Sequence, residues 1–144
     1  MKYDIRDRYA KESIYSADAD SFKTVIETAL KRQVNLSETD LSQVDLSGMD
    51  LSKASFVKAD LSNANLSGCN LYGVNFSRAN LMGADLSGCN LYATDFTGAN
   101  LANANLSKSD LSGSDLSGAN LTGTNFSGAE MLGTLMPQPA RRAA

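Results

Sequence analysis

The side chains best able to do chemistry here are sixteen carboxylates and two cysteines, set in 144 residues that contain no histidine. Without histidine there is no imidazole general base, no Ser-His or Cys-His nucleophile pair and no His-ligated metal site. Carboxylates alone could still run glycoside-type hydrolysis, which needs two of them roughly 5–9 Å apart, one with a raised pKa in a cleft. Cys69 and Cys89 stand twenty residues apart, which is neither a metal-ligand pattern nor enough cysteine for a disulfide framework. Tyr72 and Tyr92 repeat the same interval, so the elements that set such spacings come before any chemistry.

Those elements are pentads. From Val34 to Gly133 the chain divides into 20 consecutive five-residue units with no insertion, such as Ala64-Asn65-Leu66-Ser67-Gly68 and Ala84-Asp85-Leu86-Ser87-Gly88. The central residue is Leu or Phe from Leu36 through Phe126, and only Met131 departs. The residue before the centre is Asp or Asn except at Ser55 and Glu130, and the residue before that is never charged. All 11 glycines fall at the fifth position, as a repeated turn with positive φ requires.

A period of five matches neither 3.6 nor 2, so a single helix would spiral the Leu/Phe positions around its surface and a single strand would alternate them between faces. A chain that turns a corner in every pentad buries them, with the centre and the residue two before it inward and the others outward. Off-pattern identities then count the corners per coil. Phe56, Phe76 and Phe96 are spaced by twenty, as are the cysteine and tyrosine pairs, and residues 67–86 resemble residues 87–106 even where the pentad rule demands nothing. Four pentads make a coil, giving five coils over residues 34–133. At strand-pairing separation they form a rod about 24 Å long. Phe56, Phe76, Phe96, Leu66, Leu86 and Leu106 are expected to form its core ladder.

The A(D/N)LXX pattern of these residues resembles the pentapeptide repeat family. That resemblance implies an all-β fold, a right-handed quadrilateral β-helix, and a non-catalytic scaffold. Residues 1–33 read as an N-terminal cap. Ser21 to Arg32 carries Phe22, Val25, Ile26, Ala29 and Leu30 at helical spacing, with Asp20 or Ser21 as N-cap, and Tyr3–Arg6 and Ser13–Ser16 read as short strands. The Tyr3-Asp4-Ile5-Arg6-Asp7-Arg8 start is similar to that of some phage-borne members. Residues 134–144 read as a C-terminal cap or tail, broken by Pro137 and Pro139, so the chain is expected to be a monomer or a homodimer through a rod end.

On such a rod the carboxylates ride on a convex surface without a cleft, so no enzyme activity, cofactor or metal is expected, and the cysteines read as buried, reduced thiols. No apolar run approaches the roughly 20 residues that span a bilayer and the N-terminus has no signal-like apolar stretch, so the expected location is cytoplasmic, off the membrane. Six Asn-x-Ser/Thr sequons (35, 65, 75, 105, 120, 125) are by-products of the pentad. Some family members protect DNA gyrase by resembling duplex DNA, an alternative that charge can weigh. Residues 34–133 hold ten acids against four bases, a net of −6. A rod of this length would need on the order of 14 negative charges to match DNA. The acid columns are interrupted by asparagine, as in Asp40, Asp60, Asn80, Asn100 and Asn120, so a nucleic-acid-related role is disfavoured. Ser47, Ser67, Ser87, Ser107 and Ser127 form an outward hydroxyl column, read as solvating the rod, although a flat polar strip could also dock a regular surface such as ice. Lys58 and Arg78 stack on another side. The candidate patch for an unidentified protein partner is Tyr72 and Tyr92, with Met82 near an adjoining edge, since exposed tyrosines are enriched at interface hot spots. The same pair could equally be a stabilising ladder, as cross-strand aromatic pairs are in sheets.

Overall fold

Each pentad closes its own corner with bonds that its sequence specifies. The Asp or Asn before the centre accepts the N–H two residues on through Oδ1, as in Ser67 to Asn65 at 3.0 Å and Ser87 to Asp85 at 2.9 Å. This is the Asx turn that makes those two residue types interchangeable there. The centre carbonyl then accepts the N–H three residues on, for example Ala84 to Leu81 at 3.0 Å. Between them the fifth position lies in the left-handed region, with φ from 56° at Ala93 to 72° at Gly48. A turn of type II needs this geometry, and glycine adopts it at least cost.

The computed structural model describes residues 1–138. Within them the corners wind the chain so that residues twenty apart pair in parallel, from Asp40 with Asp60 to Asp115 with Leu135. The repeat therefore runs two residues past the expected boundary at 133, to Leu135, because Leu135 still bonds back to Ser114 at 2.9 Å. Residues 139–144, part of the expected tail, lie outside the described residues. Each coil is tied to the next by a regular ladder: the Leu86 N–H donates to Asn105 O at 2.7 Å, the Gly88 N–H to Ser107 O at 2.9 Å, and the Asn105 N–H to Ala84 O at 2.9 Å.

The interior is the stacked centres. Leu66, Leu86 and Leu106 are fully buried, as are Phe56, Phe76 and Phe96. The phenylalanine rings stack at 5.6 and 5.4 Å between centroids with interplanar angles of 16° and 13°. Small residues fill the corners, and polar ones there donate to a centre carbonyl, either in the preceding coil, as Thr94 Oγ1 does to Leu71 O and Cys89 Sγ to Leu66 O, both at 2.9 Å, or three residues earlier in the chain, as the hydroxyls of Thr39 and Ser109 do to Leu36 O and Leu106 O.

The first coil is covered by the N-terminal segment. Strand β1 (Lys2–Asp7) pairs antiparallel with β2 (Ser13–Asp18), with a bulge between Ile5 and Arg6, and on its other side with β3 (Thr39–Asp40) of the first coil. Helix α1 (Phe22–Lys31) is capped by Ser21, whose Oγ accepts the Thr24 N–H, and it buries Val25, Ile26 and Ala29. The hairpin thus closes an open strand edge, which would otherwise offer a template for unwanted pairing.

Candidate interaction surface

Tyr72 and Tyr92 occupy the same corner of successive coils, and the backbone holds both rings in register. Their N–H groups donate to Asn70 and Asn90 Oδ1, at 3.2 and 3.0 Å, and their carbonyls accept from Lys53 and Gly73. The rings stack with centroids 5.9 Å apart and planes 8° from parallel. They stay 39% and 47% exposed, so the pair shields itself only in part and offers a broad aromatic wall. Such a wall is the kind of surface that interface hot spots use.

Beside it lies a shallow depression of about 500 Å³ along one side of the rod, walled by Tyr72 and Tyr92, floored by Asn90 and Asp110, and bounded by Lys108 and Glu130. The amides of Asn70 and Asn90 are joined at 3.3 Å. The hydroxyl and N–H of Ser112 hold the Asp110 carboxyl below its ordinary pKa, so this floor carries a negative charge at neutral pH. Every carboxylate that the fold shifts is shifted down, at Asp40, Asp45, Asp50, Asp110 and Asp115. A general acid needs the opposite. The surface's exposed ring faces and ionised Asp110 carboxyl are groups of the kind that make stacking contacts and charge-assisted hydrogen bonds.

Met82 does not join this patch. It is 43% exposed, but it is two pentads from Tyr72, and with four corners in each twenty-residue coil that separation is half a turn. Met82 therefore stands across the rod, not at an adjoining edge. Asn90, Lys108, Asp110 and Glu130, which line the depression, were not singled out from the sequence; their common columns with the tyrosine side were the available signal. Cys69 and Cys89 are free and buried. Burial pushes both thiols up, Cys89 to about 12, so they are neutral packing groups. Among the described residues no group of three or more acids and cysteines is placed to hold a metal, and no helix is long and apolar enough to cross a membrane. A second depression lies between α1 and the first coils, lined by Lys23, Leu30 and Met49 among others.

The family model for pentapeptide repeats matches residues 32–68, 59–98 and 99–134. No curated protein matches the chain. Among solved structures, a pentapeptide repeat protein of the Arabidopsis thaliana thylakoid lumen is 38% identical, with a TM-score of 0.53 over 62% of this chain and 59% of its own. The plasmid-mediated fluoroquinolone resistance protein QnrB1 is 23% identical, with a TM-score of 0.48 over 67% of this chain and 57% of its own. A pentapeptide repeat protein of the cyanobacterium Cyanothece 51142 is 25% identical, with a TM-score of 0.38 over 77% of this chain and 99% of its own. The chain spans less than two thirds of the length of the first two. Members of the matching family form right-handed quadrilateral β-helices, and the twenty-residue parallel pairing, the corner geometry and the matched span agree: the chain belongs to the pentapeptide repeat family.

Proposed function

We propose that this protein is a non-catalytic, rigid interaction module that binds a protein partner through the side carrying Tyr72 and Tyr92. The observation that carries the reading is the exposed, parallel tyrosine stack walling the depression over Asn90 and Asp110. Both rings are already fixed by their coils, so little side-chain entropy is lost when a partner covers them. Mimicry of duplex DNA has less support. Besides the dilution of acid columns by asparagine, Lys11 lies 3.5 Å from Asp40 and Lys23 lies 4.0 Å from Asp45, which offsets negative charge near the capped end.

Affinity capture from a host lysate tests the reading, comparing wild type with a Tyr72→Ser, Tyr92→Ser double variant whose fold is verified by circular dichroism. A partner retained by wild type and lost by the variant is expected. Equal capture by both moves the contact off this side, and capture of a topoisomerase by both, weakening steeply with salt, would favour the acidic surface instead.

A further inference from the structure

The tyrosine column ends at Tyr92. One coil on, the equivalent residue is Ser112, and its neighbour Gly113 is bare: a Cβ there would lie 4.0 Å from Cε2 and Cζ of the Tyr92 ring. Tyr72 therefore has a ring stacked on it from the following coil, whereas the far face of Tyr92 looks onto a place that no side chain of comparable size fills. Tyr92 is accordingly the more exposed of the two, at 47% against 39%.

The pentad that leaves this place open also sets a charge beside it. Asp110, two residues before Ser112, accepts the Ser112 N–H through Oδ1 at 2.9 Å, which holds the carboxylate at the level of the open layer. Glu130 stands one coil further in the same column and lines the same depression. Neither carboxylate belongs to an ion pair among the described residues. Lys108 bounds the depression, but its Cγ lies 3.6 Å from where a Cβ on Gly128 would sit, so its stem sets out toward the following coil and away from the one that carries Tyr92.

An aromatic face next to a carboxylate selects a planar cation. The guanidinium of arginine stacks on aromatic rings, keeps its charge at every physiological pH, and forks two N–H donors onto one carboxylate. A lysine ammonium makes the charge contact without the fork or the stack. A nucleobase stacks too, but its phosphates would then meet Asp110 and Glu130. The depression is shallow, so it suits a side chain carried by a chain that passes over the rod better than a free small molecule, which binds in deeper clefts. We propose that this depression is a subsite for an arginine side chain of the partner, its guanidinium stacked on the far face of Tyr92 as a third layer and bonded to Asp110, with Glu130 adding charge. The proposal rests on the reading of the tyrosine side as a protein-binding surface and narrows it to a partner that presents an arginine on an exposed segment.

The test titrates the full chain, labelled for backbone-amide and tyrosine-ring NMR, with three short capped peptides that differ only in one central residue: arginine, lysine or citrulline. Citrulline keeps the shape of arginine and loses its charge. The arginine peptide is expected to bind at least about tenfold more tightly than the citrulline peptide and about threefold more tightly than the lysine peptide, with shifts centred on Tyr92, Asp110 and Ser112. Asp110→Asn and Tyr92→Ser should each weaken it at least about fivefold. Both changes keep the corner, since asparagine closes the same turn at Asn70 and Asn90 and serine stands at 52 and 112 of the tyrosine column. Lys108→Gly gives that left-handed corner the residue found at 48, 68, 88 and 128, and it should tighten binding by removing a competing cation. Equal affinity for the arginine and citrulline peptides, shifts confined to other surfaces, or no arginine-dependent shift at millimolar peptide overturns the subsite. Lysate capture that requires Tyr72 and Tyr92 but is unchanged by Asp110→Asn also overturns it while leaving the protein-binding reading intact, and arginine-peptide binding here without any captured partner does the reverse.

Discussion

At the residue before each centre, aspartate and asparagine do the same structural work with different charge. Either side chain closes the Asx turn, but only aspartate makes it depend on pH. The Asp50, Asp110 and Asp115 carboxyls sit below their ordinary value of 3.8, first because the hydroxyls of Ser52, Ser112 and Ser117 bond to the ionised form and second because the N–H groups of those serines do. A folded-state pKa below the unfolded one contributes stability that is complete above the unfolded value and is lost as pH falls through the folded value. Urea midpoints should therefore fall on acidification below about pH 4, and an Asp50→Asn, Asp110→Asn, Asp115→Asn variant should show a flatter profile while keeping the fold. A wild-type-like acid dependence in that variant would mean that these turns do not carry it. The preference for Asp or Asn was legible in the sequence. The side chains tolerated at the left-handed fifth position were not so plainly explained, since Lys53, Asn63, Arg78, Ala93, Asn103 and Lys108 share that conformation with the glycines. Twenty residues after each of these six comes a glycine, and the side-chain Oδ1 atoms of Asn63 and Asn103 occupy the space that a Cβ on Gly83 and Gly123 would need, whereas Glu38, Gln43 and Lys58 in the same conformation are followed by Lys58, Asn63 and Arg78.

Between elements, what decides stability is which way a position faces, and neighbours in sequence can differ completely. Leu86 is fully buried between Leu66 and Leu106, so Leu86→Ala removes apolar burial and opens a gap that coils fixed by ladder bonds above and below cannot readily close. It should cost about 2–5 kcal/mol. Ser87 lies outside, with its N–H held by Asp85 and its hydroxyl bonded to no protein group, so Ser87→Ala should change stability by less than about 0.5 kcal/mol. Equilibrium urea unfolding of the two variants checks the contrast, and similar losses would contradict the assigned facing. The helix of the cap was also legible, because Val25, Ile26 and Ala29 fall on one face and Ser21 can cap it. The attachment of the hairpin to the first coil was not. Pairing of Arg6 with Asp40 and of Asp7 with Thr39 depends on a bulge and on tertiary contact, neither of which leaves a periodic trace.

Across the whole molecule the twenty-residue pairing makes the rod a stack of near-equivalent layers, so its architecture depends on period more than on the identity of any one layer. This is why the repeat was readable end to end while the interaction surfaces were not. A buried ladder imposes the same residue type in every coil, but a binding patch is marked only by departures from it, and placing those departures requires counting corners, as Met82 shows. Length is then a strong test. Excising residues 67–86 removes one full turn, brings Leu66 before Ser87, and leaves Phe56 one coil below Phe96, so every column keeps its facing and the cap keeps its seat. Excising residues 67–76 removes half a turn and rotates everything beyond it to the opposite side. Phe56 and Phe96 then no longer share a column. The first deletion should keep the β-sheet circular dichroism signal and cooperative unfolding at somewhat lower stability. The second should be less stable than the first despite its longer chain, because its columns no longer match. Equal or greater stability of the half-turn deletion in urea would show that the coils do not discriminate among the residues stacked above and below them.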